Sequence, residues 1–180
     1  MEGAHMQITR AAVCLVAFML PSVAVQAASV HIVALGASNT YGHGRGRTNG
    51  GVEPSQAFPA QLEAMLRARG VDAHVANAGI PGDTTGGMLQ RLNSAVPDGT
   101  QIVILQPGGN DARRGEGASR AGNVAAIQQQ LAARHIKVIV TGMTAPASTR
   151  DPDGQHFNAS GHAAVASSLV PRVMAAMRGK

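Results

Sequence analysis

The chain has 180 residues, of which 44% are hydrophobic, 14% charged and 2% aromatic, a composition that excludes a disordered chain and leaves Ala, Val, Leu, Ile and Met to fill the core. Lys and Arg exceed Asp and Glu by 15 to 10, for a formal charge of +5 and a pI near 10.7. The arginines fall in scattered pairs (Arg45/Arg47, Arg67/Arg69, Arg113/Arg114) without interleaved aromatics, which fits a basic surface facing anionic substrates or an anionic envelope and argues against nucleic-acid binding.

Residues 6–27 pass from a short region carrying Arg10 through the apolar stretch Ala11 to Leu20, then Pro21, and end in Val25-Gln26-Ala27. This is the layout of a secretory signal peptide cleaved after Ala27, and its apolar part is too short to span a membrane. Met1 to His5 ahead of it reads as a cloning remnant or a misplaced start. Residues 1–27 are therefore set aside, and 28–180 are expected to form one domain of a secreted or periplasmic protein without a stable membrane anchor. Cys14, the only cysteine, lies inside this leader, and the residues before it, Ala11-Ala12-Val13, fit a lipoprotein signal poorly. A mature domain without cysteine has no disulfide framework and no thiol nucleophile, so covalent catalysis would need a hydroxyl or another group.

The first element is the run Val30 to Gly36, mostly apolar and ending at a glycine, which predicts a buried parallel strand delivering Ser38 at its carboxyl end. In open α/β sheets ligands sit there, although a serine after a strand also serves as a helix cap. The glycine-rich stretch 42–51 reads as a mobile rim. A helix opened by Pro59 carries Leu62, Met65 and Leu66 on one face and stops at Gly70. Val71 to Asn77 is the second strand, leading to the loop Ala78 to Thr85 and a helix with Met88, Leu89 and Leu92. Gln101 to Gln106 is the third strand, stopped by Pro107, and Gly108-Gly109-Asn110-Asp111 follows it. A helix from about Arg120 to His135 leads to a fourth strand, Lys137 to Gly142, and Met143 to Gln155 reads as loop. Asn158 caps a last helix to about Met177, which Pro171 should kink or split. Alternating strands and helices predict a parallel sheet covered on both faces, with Ser38, Gly82, Asn110 and the Asp153/His156 pair gathered at one edge.

A hydroxyl nucleophile needs a base to take its proton and a third group to fix the tautomer of that base. Asp153-Gly154-Gln155-His156 supplies both within one turn. The oxygen that becomes negative needs donors, for which Gly82 offers an unobstructed backbone amide and Asn110 a side-chain NH2 on a tight loop.

Gly36-Ala37-Ser38-Asn39, Gly79 to Thr84, Gly108-Gly109-Asn110-Asp111 and Asp153-Gly154-Gln155-His156 together resemble the four sequence blocks of the SGNH (GDSL-type) hydrolases, in their order and over essentially the whole mature chain. The likeness is nearest to secreted bacterial arylesterases, thioesterases and lysophospholipases. It implies a flavodoxin-like three-layer α/β sandwich with a central parallel sheet. It also implies a cofactor-independent serine esterase, with Ser38 as nucleophile, His156 as general base and Asp153 as its partner. The oxyanion hole would be the Ser38 and Gly82 amides with the Asn110 side chain. The substrate would be a small-molecule carboxylic ester or thioester, with the oligomeric state left open. A carbohydrate acetylesterase of the same fold, or a non-catalytic envelope binding protein, are the alternatives.

Three features depart from the family pattern. Ala37 stands where Asp is frequent, Gln155 and Phe157 flank the histidine where apolar residues and Pro are commoner, and the stretch from Gly142 to Asp153 is short. The last implies a shallow site with little lid, suited to small or aromatic acyl groups. Ser38 to Gly42 is loosely like a flavodoxin phosphate loop, but rings to hold a flavin are scarce. Gly42-x-Gly44-x-Gly46 follows no strand directly. His156 and His162 lack a third metal ligand, and Asp151-Pro152-Asp153-Gly154 lacks the later Glu of a calcium loop. His31, His43, His74 and His135 read as structural or surface residues, so no cofactor or metal is expected.

Overall fold

A computed structural model describes residues 29–42, 51–142 and 146–179. The leader with Cys14, and most of the glycine-rich stretch including His43, lie outside the described residues.

Four strands, β1 (Val30–Gly36), β2 (Ala73–Gly79), β3 (Ile102–Gln106) and β4 (Lys137–Val140), pair in parallel in the order β2-β1-β3-β4. Alternation along β1 divides the core. Ile32 and Ala34, with Ile102, Ile104 and Ile139, pack under α2 (Phe58–Arg67) and α7 (Ala159–Arg178), which contribute Phe58, Leu62, Leu66, Leu169 and Val173. Val33, Leu35, Val103 and Leu105 point the other way, toward Met88 of α3 (Thr85–Gln90), Leu92 of α4 (Leu92–Ala95) and Ile127 and Leu131 of α6 (Arg120–Ala133). Both faces of the sheet are thus apolar, as a buried parallel sheet requires, and each Leu or Ile so covered contributes roughly 1.5–3 kcal/mol. The result is the expected three-layer α/β sandwich.

The chain leaves β1 for β2 on one side and reaches β3 on the other, so the strand order reverses beside β1 and opens a crevice at the carboxyl ends of β1 and β3. Those ends are level, because Gly36 pairs with Gln106.

Several boundaries differ from the sequence expectation. The second strand begins at Ala73, not Val71, and continues to Gly79, because register with β1 pairs these residues one for one. Val71 instead donates its N–H to the Leu66 carbonyl at the end of α2. The helix expected around Met88 and Leu92 breaks at Arg91, whose guanidinium reaches Asp83 and the carbonyls of Gly36 and Ala78. Pro171 does not split α7, which runs as one helix. Buried Val165 and Leu169 before the proline and Val173 after it hold both halves on the sheet, which offsets the cost of about 3 kcal/mol for an interior proline. The expected loop before Gln155 contains a 3-10 turn at Ala147–Thr149. Among the described residues no helix is long and apolar enough to cross a membrane.

Candidate active site

Ser38 is the first residue of α1 (Ser38–Tyr41), a four-residue helix directly beyond β1. The N-cap is Ala37, which makes no side-chain cap bond, so the Ser38 hydroxyl is not used for capping. Gly36 permits the turn: a Cβ there would lie 2.0 Å from Thr40 Oγ1. Thr40 Oγ1 in turn donates to Gln106 Oε1 at 2.6 Å, tying α1 to the end of β3.

Ser38 is buried and its Oγ lies 2.9 Å from Nε2 of His156. On the other side of the ring, Nδ1 is 2.5 Å from Asp153 Oδ2. A carboxylate only accepts, so this pairing puts the ring proton on Nδ1 and leaves Nε2 to accept from the serine. Asp153 Oδ1 accepts the backbone N–H groups of Gln155 at 2.9 Å and His156 at 3.0 Å. Burial by itself would raise the Asp153 carboxyl, but the His156 amide, the His156 ring and the Gln155 amide outweigh it and lower the group from 3.8 to about 2. Hydrogen bonds to the charged form therefore dominate, and the carboxylate stays ionised far into acid.

The histidine loop is anchored from three directions. Asn39 accepts from the Phe157 N–H and donates to the Gln155 carbonyl. Phe157 is fully buried and bridges to Arg150 in antiparallel fashion. Asn158 caps α7, accepting from the Gly161 N–H at 3.0 Å. Gly161 is required by proximity: a Cβ there would lie 2.2 Å from the Thr149 carbonyl oxygen and 2.9 Å from Phe157 Cβ.

Asn110 opens α5 (Asn110–Arg113) beyond β3 and is buried. Its Nδ2 donates to the Asp83 carbonyl at 2.6 Å, and its Oδ1 accepts from Arg113 Nη2 at 2.6 Å. The amide orientation is thus fixed, and the second Nδ2 hydrogen remains for a ligand. Gly82 sits at φ +80, on the turn that presents Asp83, and its carbonyl accepts from Arg114. No acceptor among the described residues takes the backbone N–H of Ser38 or Gly82. Next to Asn110, the buried Asp111 carboxylate accepts from both the backbone N–H and the hydroxyl of Thr85, joining α5 to α3.

Ser38, Asn110 and His156 line one cavity of about 400 Å3, together with Asn39, Gln106, Arg113 and Arg150. Gly82 and Asp153 are not in its wall. His162 lies behind the site, where its Nδ1 accepts the Phe58 N–H and its ring stacks on Phe58. Burial first, and the nearby His156 second, lower it from 6.5 to about 4, so it is a neutral core histidine and not a ligand. Among the described residues no group of three His, Cys, Asp or Glu side chains could hold a metal ion.

The sequence reading missed Asn39, Arg113, Arg150 and the Asp111–Thr85 link. Asn39 and Asp111 stood inside the quoted blocks, yet their partners lie 116 and 26 residues away, beyond what local pattern carries.

A parallel three-layer sheet with serine, histidine and carboxylate in line at its carboxyl edge is the architecture of the SGNH-type hydrolases. The GDSL-like Lipase/Acylhydrolase family model matches residues 34–170, and the chain belongs to this family. Esterase TesA of Pseudomonas aeruginosa is 36% identical over 98 residues, 53% of this chain and 49% of that protein, so the chain spans about half the length of the curated relative it matches. Among solved structures, AlinE4, described as an SGNH-hydrolase family esterase, shares 30% identity at a TM-score of 0.57, over 82% of this chain and 74% of that one. A carbohydrate acetylesterase family member from Sinorhizobium meliloti shares 16% identity at a TM-score of 0.66, over 82% and 98% of the two chains. That last likeness is one of fold.

Proposed function

We propose that the protein is a serine esterase acting on carboxylic esters and thioesters with small or aromatic acyl groups, through an acyl-enzyme. The observation that carries this is the line from Asp153 through the His156 ring to Ser38 Oγ, at 2.5 and 2.9 Å. His156 Nε2 takes the proton as Ser38 Oγ attacks the ester carbonyl, and ionised Asp153 stabilises the imidazolium that forms. The tetrahedral oxyanion is met by the Ser38 amide and the second Nδ2 hydrogen of Asn110, and the Gly82 amide, on the turn just outside the cavity wall, would join them once substrate draws that turn in. His156 then returns the proton to the leaving alcohol or thiol. Water, activated by the same nitrogen, hydrolyses the acyl-serine and restores the free hydroxyl.

A cavity of about 400 Å3 at Ser38 has room for a small or aromatic acyl group. A carbohydrate acetylesterase is the second reading, supported by the fold likeness to the Sinorhizobium meliloti protein. Comparing acetylated sugars with aryl acetates, acyl thioesters and lysophospholipids separates the two. The signal-like residues 6–27 support action outside the cytoplasm.

A fluorophosphonate probe followed by peptide mass spectrometry tests the mechanism. The expected adduct is on Ser38, lost in Ser38→Ala along with hydrolysis of para-nitrophenyl acetate. Unchanged turnover in Ser38→Ala removes Ser38 as the nucleophile, and absence of both labelling and turnover overturns the esterase reading in favour of a non-catalytic binding role.

A further inference from the structure

The cavity wall carries two guanidinium groups, from Arg113 and Arg150, and no carboxylate. Arg113 forms no ion pair among the described residues. Its hydrogen bond goes to the neutral Asn110 amide, and it lies over Gly109, where a Cβ would come within 3.3 Å of Nη1. The guanidinium is thus turned onto the Asn110 loop at the cavity rim, where the residue stays exposed, and it retains donors beyond the one used on Asn110. Arg150, also in the cavity lining, is held beside the histidine loop by the Gln155 carbonyl at 3.0 Å and by the Phe157 ring, 5.1 Å from its guanidinium carbon. Of the nearby carboxylates, Asp83 is matched to Arg91 and Asp153 to His156 and two amides, while Asp151, next to Arg150 in the chain, keeps a buried Oδ2 with no hydrogen-bond partner among the described residues. A planar, permanently charged fork beside a small cavity is suited to a carboxylate or phosphate group.

We infer that Arg113, with Arg150, forms an anion-recognition subsite, so that the preferred substrates are esters bearing a second, negatively charged group. This inference rests on the esterase reading and narrows it to a substrate class. The neutral acetates of ordinary assays would be hydrolysed but poorly matched.

The full chain is assayed at low ionic strength on two pairs of substrates. Para-acetoxybenzoate against its methyl ester places the charge on the leaving alcohol, and para-nitrophenyl hemiadipate against para-nitrophenyl hexanoate places it on the acyl group. In at least one pair kcat/KM is expected to favour the anionic member by about tenfold, the order of one charge-assisted hydrogen bond. That ratio should fall by a similar factor in Arg113→Gln, persist in Arg113→Lys and shrink as salt is added. The ratio is the readout because Arg113 also orients Asn110, so Arg113→Gln is expected to slow both members of a pair. Calorimetric binding of the same compounds to Ser38→Ala, with and without Arg113→Gln, reads the discrimination without turnover. Hydrolysis with no anionic preference in either pair, or a preference that survives Arg113→Gln, overturns the subsite and leaves the esterase reading standing. If no ester turns over, charge-selective binding that depends on Arg113 upholds the subsite while the esterase reading falls. If binding is equally indifferent to charge, both fall.

Discussion

Asn39, the residue after Ser38, is hydrogen-bonded to Phe157, the residue after His156: Oδ1 accepts the Phe157 N–H at 2.9 Å. Its Nδ2 donates to the Gln155 carbonyl at 3.2 Å. One carboxamide thus grips the peptide groups on both sides of the histidine and sets its distance from the serine.

Asn39→Leu is therefore expected to lower kcat about ten- to a hundredfold with little change in KM, since misplacement by an ångström is enough for such losses. Asn39→Asp, which keeps the acceptor for Phe157, should retain more activity. Steady-state kinetics on a para-nitrophenyl ester checks this. Equal rates for wild type and Asn39→Leu would show that the histidine loop holds its place without the clamp.

Asn110→Ala should reduce kcat by roughly a hundred- to a thousandfold, the usual cost of one oxyanion donor. The Ser38 adduct with a fluorophosphonate should still form, more slowly. A rate within a factor of about three of wild type would remove Asn110 from the hole.

Acid should weaken the fold in two windows. His162 is lowered from 6.5 to about 4, so the unfolded chain takes up that proton first. The stability contributed by its neutral ring is complete above pH 6.5 and is lost as the pH falls toward 4, a total of roughly 3 kcal/mol if the whole shift is expressed. Asp153 is lowered from 3.8 to about 2, so its contribution is complete above 3.8 and disappears between there and 2. Urea midpoints measured across this range should fall less steeply between pH 6.5 and 4 in His162→Gln, which keeps an acceptor for Phe58 but cannot titrate. Parallel curves for the two proteins would contradict the assignment.

Phe157 is buried beneath the histidine loop and meets His162 edge to face at 5.8 Å. Phe157→Ala should cost about 3–5 kcal/mol of stability by cavity formation. It should also lower kcat, because the loop that carries His156 loses its apolar anchor. Chemical denaturation together with kinetics at a temperature where the variant stays folded separates the two effects.

Much of this was legible in the sequence because the relevant signals are local. The apolar runs fix β1 and β3, and glycine, Pro107 and the polar blocks mark where each strand hands over to a loop. Asp153 and His156 are three residues apart, so the chain lets the carboxylate face the ring, and the structure pairs them. Departures came where tertiary contacts decide. Register with β1 moved the start of β2 from Val71 to Ala73. Packing on both sides of Pro171 kept α7 whole. Phe157, which departs from the family pattern beside the histidine, is buried and is one of the residues that anchor the loop. The Asn39 clamp and the placement of Arg113 depend on side chains meeting across the crevice, which no spacing rule reports.

Ser38 sits at the exit of the first strand and His156 just before the last helix, 118 residues later. A polypeptide still emerging from the ribosome therefore has its hydroxyl long before anything can deprotonate it. On the proposed mechanism competence waits for the loop that leads into α7, so a chain cut short before His156 would remain chemically silent however well its sheet had formed.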